Sequence, residues 1–458
     1  MSPDRPVVPS REDPVARSAS RVIGGPLGRY AVPLARGWRH AAALLIAVST
    51  VPMALSVWLR GYCIDGGWRS PDQFFHMCFS DLPATFGNSN LGAGLGAFLA
   101  GGPDAPTPEQ PPLLAILSAL TGGVIPDGTP ETRERQFFGL WALLLALCLA
   151  LTVWWTAAAL DRMPLRASHL ALSPVVALAA LVAPDLVGVA FTAAALCGWS
   201  KGRLRWAGVW LGLAISTVHY PVLVLIAICF VAVRAGRWAD ARVVVGSALV
   251  TFGLVFGLVA WRNPTGAVQS YVGWFQASAG FGSPWVAPQL AGSPLPTVAV
   301  TALAAFGWVV AIAAGAFLAL GAPRRPGVAE ISLVMLAIVL VTGKAFPVQA
   351  SLWLVPFVAL VGLRWRDHLW WAGAEALHFG AVWLYLAGVS MPERGLPSGW
   401  YLVTLLARVA AVIWLAVAVW RMAWRRPSTD PDDPAPEETD LLAGPLESAP
   451  DAILVKVV

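Results

Sequence analysis

The sequence predicts an all-α fold, a polytopic membrane bundle of about twelve transmembrane segments, on three observations. Hydrophobic residues fill 57% of the 458 positions and charged residues only 12%, against roughly 25% charged in a soluble domain, an excess that a water-soluble core cannot absorb. The chain carries 23 tryptophans, a residue favoured at membrane interfaces where one side of the ring is dry and the other wet. Apolar runs of roughly 14 to 25 residues succeed one another along most of its length, each able to cross or enter a bilayer as a helix.

Taken in order, the runs fall at about 40–59, 136–160, 170–184, 186–199, 206–218, 221–234, 242–261, 297–320, 330–343, 348–363, 369–389 and 400–423. Several are too short to span upright. Those broken at Pro184-Asp185, Tyr220-Pro221 and Pro347 read as helices that end near one face, leaving backbone that must line protein or water. Residues 1–38 are polar and rich in Pro and Arg, and 425–458 begin with the acidic, Pro-rich PSTDPDDPAPEETD. Both are expected as disordered tails flanking a membrane domain over 39–424, since neither buries enough apolar surface to fold alone.

Orientation follows from the cations. DRMPLR at 161–166, KGRLR at 201–205, RAGRWADAR at 234–242, PRRP at 323–326, RWRD at 364–367 and WRRP at 424–427 alternate with connectors that hold fewer. Placing them inside puts both termini in the cytoplasm of a bacterial plasma membrane, with ETRERQ at 131–136 as the one awkward outer stretch. Two long outer loops result, 60–135 and 262–296, the first and fourth, whose apolar and aromatic stretches predict interfacial helices. Long loops joining compact elements are commonly functional. The net charge of +5 is scattered and forms no patch for nucleic acid.

Asp81, in HMCFSDLP, stands on the outer side just after the first crossing. A carboxylate there can take a proton from an acceptor hydroxyl; equally, Asp followed by Leu-Pro makes a helix start. Cys63 and Cys78 share this loop, and spacing leaves a bridge and two free thiols equally open. Ionisable groups at or within apolar runs face cavities or one another, which singles out Asp185, His219, Lys344, Glu375 and Arg408. Lys344 suits a lipid-linked phosphate or a snorkelling role at the interface. Glu375 and Arg408 suit a structural ion pair between the last two helices. The sequence has no Walker-type loop, dinucleotide fingerprint, HExxH or CxxC, so no cofactor is expected, with a divalent metal left open.

Several segments together resemble a known family. GKAFPVQASLWLVPFVAL at 343–360 is similar to the Lys, Ser-Pro-Gln, Leu-Trp-Leu-x-Pro signature of the bacterial polyprenol-phosphate-sugar-dependent glycosyltransferases, the multi-pass C-type class that includes actinobacterial mannosyltransferases. HMCFSDLP at 76–83 resembles its Cys-Tyr-Ser-Asp-Ile-Pro segment, APDLVGVAF at 183–191 its Trp-Asp-Leu segment, VHYPVLVL at 218–225 its Tyr-Pro, and WWAGAEALHFGAVWLYLA at 370–387 a further Trp and Glu pattern. The resemblance implies a C-type membrane fold, Asp81 as catalytic base, and Lys344, Gln349, Asp185, His219, Tyr220 and Gln110 as donor-phosphate or substrate-binding positions. It implies as partners a polyprenyl-phosphate sugar donor, a lipid or glycan acceptor of the cell envelope, and membrane lipid. Departures are equally plain: Val218 replaces a family Lys, Gln110-Pro111 stand where the family has Glu-Tyr, and an Arg after the Ser-Asp segment and an Arg and Asp before GSPW at 282–285 are missing. These losses imply a changed substrate or a chain that keeps the fold without the activity. A lipid or polysaccharide transporter is the remaining alternative, and it predicts inverted repeats and a cavity reaching both faces.

Overall fold

Each apolar run folds as one helix or as two short ones, and no strand occurs among the described residues. The structure, a computed structural model, describes residues 37–102, 104–424, 442–447 and 449–453. The expected N-terminal tail lies outside the described residues except for 37–38, which begin the first long helix.

The principal helices are α1 (Gly37–Leu59), α2 (Asp81–Asn88), α3 (Pro112–Gly122), α4 (Pro130–Ala159), α5 (Leu186–Ser200), α6 (Leu204–Ile215), α7 (Pro221–Arg234), α8 (Trp238–Arg262) and α9 (Pro264–Gln276). They are followed by α10 (Thr297–Gly321), α11 (Val328–Thr342), α12 (Val355–Val361), α13 (Trp365–Ser390) and α14 (Ser398–Trp424). Prolines open α4, α7 and α9, where the missing N–H would have lacked a helical partner anyway. The run at 170–184 breaks into Ser168–Ala171 and Pro174–Ala179, and 348–363 divides into a 3-10 turn, Val348–Trp353, followed by α12.

Five helices, α1, α4, α8, α10 and α14, are long and apolar enough to cross a membrane. The molecule is therefore a membrane-embedded helical bundle. α5, α6, α7 and α11 are apolar but shorter; at 1.5 Å per residue the 15 residues of α5 reach about 22 Å, less than a bilayer core of about 30 Å. Helix length thus does not fix the crossing number at twelve. The two long connectors, 60–135 and 262–296, fold into short helices, including Asp72–Phe75, Gly94–Ala100, α2, α3 and α9.

The bundle packs as a chain of neighbours: α1 on α4, α4 on α5, α5 on α6, α6 on α8, then α7 against α10 and α11, and α11 and α13 against α14. Close approach needs small residues in lipid, where no hydrophobic force drives helices together. At Gly208 of α6, a Cβ would collide with the Ser247 hydroxyl and the Val244 carbonyl of α8.

At the end of the bundle where α5 and α7 terminate, part of the expected C-terminal tail is packed against the helices. Leu442 and Leu446 are buried. Asp451 binds Arg234 at 2.7 Å and Arg325 at 2.8 Å, and Glu447 binds Arg162 at 3.0 Å. Arg234, fully buried, also donates to the carbonyls of Ala319 and Ala322 at 2.9 Å, while the amides of Ala452 and Ile453 donate to its own carbonyl. Composition alone predicted a tail here. Two leucines and one carboxylate facing a cluster of arginines make this short stretch an exception.

Candidate functional site

Asp81 is the first residue of α2, and three local devices hold it. Ser80, the N-cap, accepts from the Leu82 amide and donates its hydroxyl to the Leu181 carbonyl at 2.8 Å, 101 residues away. The Asp81 amide donates to the Val182 carbonyl at 2.7 Å. Cys63 and Cys78 are disulfide-bonded, closing the loop that leads into α2. The sequence offered helix start and reactive carboxylate as alternatives; because Ser80 performs the capping, the Asp81 side chain is left for other work.

That side chain faces Gln349, whose Nε2 donates to Asp81 Oδ2 at 3.4 Å, a long and weak bond. Gln349 belongs to the 3-10 turn after Pro347, fixed by Arg408 of α14. Arg408 donates to the carbonyls of Phe346 and Pro347, to the Ser351 hydroxyl at 2.9 Å and to Glu375 at 2.7 Å. Gly282 closes the same wall: it has φ of +82°, its amide donates to the Tyr401 hydroxyl at 3.0 Å, and a Cβ there would strike the Phe346 carbonyl. Only glycine meets both demands.

Between these elements lies a cavity of about 280 Å³, lined by Asp81, Gln349, His378, Phe74, Phe79 and Trp383, with Gly282 and Pro347 among its further walls. Trp383 lies 4.9 Å from Phe79 and 6.0 Å from Phe74 between ring centroids. Two of the lining residues carry buried polar atoms, His378 Nδ1 and Trp383 Nε1, that have no hydrogen-bond partner among the described residues. Such groups are costly unless something pairs with them. Burial first, and the negative charge of Asp185 second, push the Asp81 carboxyl up to about 7, the range suited to a general base at neutral pH.

The other predicted positions divide. Asp185 stands behind Asp81 and accepts from Trp353 Nε1 at 2.7 Å. Tyr220 stacks on Trp353 at 5.0 Å and donates its hydroxyl to Thr192, so it braces Asp185 and does not line the cavity. Gln110 accepts from Ser118 at 2.7 Å, and exposed His219 meets Tyr271 edge-on at 5.4 Å; neither lines the cavity. Glu375 and Arg408 are bonded to one another in the core.

Lys344 is held by backbone at the end of α9. It was expected to meet a donor phosphate, yet its ammonium donates to the carbonyls of Trp274, Phe275 and Ala277 at 2.8, 3.1 and 3.0 Å. An ammonium has three donors, and all are committed to the C-terminal end of α9, where a cation also meets the favourable end of the helix dipole. Only 3% of Lys344 is exposed, and the cavity lining begins at the next residue, Ala345.

Sequence reasoning missed His378 and Trp383. A signal existed, because His378 lies within an apolar helix, three residues after Glu375, and such ionisable residues usually face a cavity. Among the described residues no group of three or more His, Cys, Asp or Glu side chains is arranged to hold a metal ion. No protein-family profile matches this chain, and no curated protein matches it.

Proposed function

We propose that this chain is a membrane glycosyltransferase of the C-type kind its motifs resemble, moving a sugar, mannose or another, from a polyprenyl-phosphate donor to an envelope glycolipid, polysaccharide or protein. The observation that carries the reading is the cavity itself. A carboxyl raised to about 7 faces an amide from the other half of the chain, beside an aromatic wall with unpaired His378 and Trp383 nitrogens. Aromatic faces take the C–H side of a sugar ring, and the polar atoms take its hydroxyls.

In this reading Asp81 accepts the proton of the acceptor hydroxyl as that oxygen bonds to the anomeric carbon. The bond from that carbon to the donor phosphate oxygen breaks, and the lipid phosphate departs as an anion. Direct displacement inverts the anomeric centre with a single carboxylate base, as in the inverting hydrolases, and no acid is needed for a leaving group that is already a phosphate. Gln349 orients Asp81, and holding the two substrates in line contributes a large share of the rate. With Lys344 committed to α9, an exposed cation for the phosphate is Arg394, whose guanidinium stands 5.5 Å from the ring of Phe75, next to the lining residue Phe74. The topology that accompanies this reading has about twelve crossings, cytoplasmic termini and the cavity on the outer side of a bacterial plasma membrane.

The test is transfer from labelled polyprenyl-phosphate mannose and arabinose in membranes carrying wild type or Asp81→Asn. Loss of a general base lowers the rate by about 10² to 10⁴; equal transfer by the two proteins removes Asp81 from the reaction. The commitment of Lys344 favours one second reading, a homologue that binds a saccharide or lipid partner without transferring it. That protein would retain the labelled donor and release no product.

A further inference from the structure

A large apolar groove lies between α13 and α14 near the start of α13. Its volume is about 1360 Å³, above the roughly 300 to 1,000 Å³ of ordinary small-molecule clefts. Leu369, Trp370 and Leu377 line it with most or half of their surface exposed, while Gly373, Ala374, Ala407 and Ala411 form its floor because they project too little to fill the space. One flank, α14, is among the helices long and apolar enough to cross a membrane, so the groove opens toward lipid.

Its mouth is charged. Arg366 lines the groove with 66% of its side chain exposed, and the Arg421 guanidinium stands 5.8 Å from the ring centre of Trp414, another lining residue. Exposed Arg364 precedes α13 by one residue. Against these three cations stands one carboxylate, Asp367, which accepts from Trp414 Nε1 at 3.2 Å and lies 3.6 Å from Arg366. The mouth is therefore net positive while the slot behind it is hydrocarbon-like.

We propose that this groove binds one anionic diacyl phospholipid, its phosphate between Arg366 and Arg421 and its chains along the small-residue floor. Basic pockets between membrane helices recognise anionic headgroups in this way, and guanidinium pairs well with phosphate. The lipid is not the reacting donor of the proposed transfer. From Arg366 to His378, the first residue of α13 that lines the cavity of Asp81, the helix rises about 18 Å at 1.5 Å per residue. The inference consequently stands or falls independently of the glycosyltransferase reading.

Native mass spectrometry of the full chain, with phosphatidylglycerol and phosphatidylcholine of identical acyl chains, tests it. Wild type should retain phosphatidylglycerol on the order of tenfold better. The Arg366→Gln/Arg421→Gln double variant should bind both lipids equally, and Ala374→Trp with Ala411→Trp, which fills the slot, should retain neither. A melting curve for each variant separates lost binding from lost folding. The proposal is overturned if wild type shows no headgroup preference, if that preference survives both sets of substitutions in folded protein, or if the slot-filling variant instead abolishes a stable dimer, which would make a second copy the occupant.

Discussion

Two regions of this bundle bury polar side chains in opposite ways. Around Arg408 every guanidinium nitrogen is met by a carbonyl, the Ser351 hydroxyl or the Glu375 carboxylate, and around Arg234 both Nη atoms are met by carbonyls and a carboxylate although Nε has no partner among the described residues. In the cavity lined by Asp81 and Gln349, the Asp81 side chain has one long bond and His378 and Trp383 each have a polar atom without a partner among the described residues. A closed network fixes backbone; in the proposed function the open one meets a ligand. Arg408, His378 and Trp383 are all buried, whereas Asp81 and Gln349 are partly exposed, so at equal depth it is hydrogen-bond satisfaction that distinguishes the Arg408 network from the cavity wall.

Breaking a closed network should produce the largest effect. Arg408→Met leaves the buried Glu375 charge without a cation, held only by Trp371, and frees the Phe346 and Pro347 carbonyls, at a cost of about 3–5 kcal/mol, read as a large drop in thermal stability in detergent. A shift within error would mean that Arg408 does not hold the Gln349 turn.

The second closed network is weaker because Asp451 is partly exposed. Asp451→Asn removes the negative charge from the one carboxylate that accepts from buried Arg234 and should cost about 1.5–3 kcal/mol, the value of hydrogen bonds to charged groups. Burial raises the Asp451 carboxyl, but bonds to Arg234 and Arg325 outweigh it, and its pKa falls below the usual carboxylate range. A depressed folded pKa gives stability that is complete above the unfolded value and lost as pH falls through the folded one. Wild type should thus lose its stability advantage over Asp451→Asn in strong acid; an advantage that persists there would exclude the ion pair as its source.

The open region should behave in the reverse sense. His378→Phe and Trp383→Phe remove unpaired polar atoms, so stability should change by less than about 1 kcal/mol, while sugar transfer or retention falls about tenfold. The pH profile sharpens this contrast. A base raised to about 7 is protonated and inactive below that value, so kcat/KM should rise tenfold per pH unit to about 7 and then level off. A profile flat from pH 5 to 8 would remove Asp81 as the titrating group.

How much of this was legible in the sequence follows the same division. Helix positions were readable because apolar runs and flanking prolines are local; α7 begins at Pro221 and ends at Arg234, as its run does. Asp81 and Gln349 were readable through motifs, although 268 residues separate them. What stayed hidden was partner choice. Nothing local to Lys344 announces that the carbonyls of Trp274, Phe275 and Ala277 will accept from its three N–H donors, and nothing near His378 announces that its Nδ1 will lack a partner among the described residues. The docked residues 442–447 and 449–453 were concealed by the acidic, Pro-rich stretch before them, whose composition dominates any window that includes both.

Lys344 supplies the finest test, because motif and geometry give it different work. As a cap on α9, its replacement by Met should cost about 0.5–1 kcal/mol, the range for a cation at a helix C-terminus, and should loosen the 262–296 loop to proteolysis while leaving the KM for a polyprenyl-phosphate donor within twofold. As a phosphate ligand, its loss should raise that KM by tenfold or more with little change in melting. The three short bonds to Trp274, Phe275 and Ala277 predict the first outcome, and a KM effect without a stability effect would move Lys344 from the scaffold back into the site.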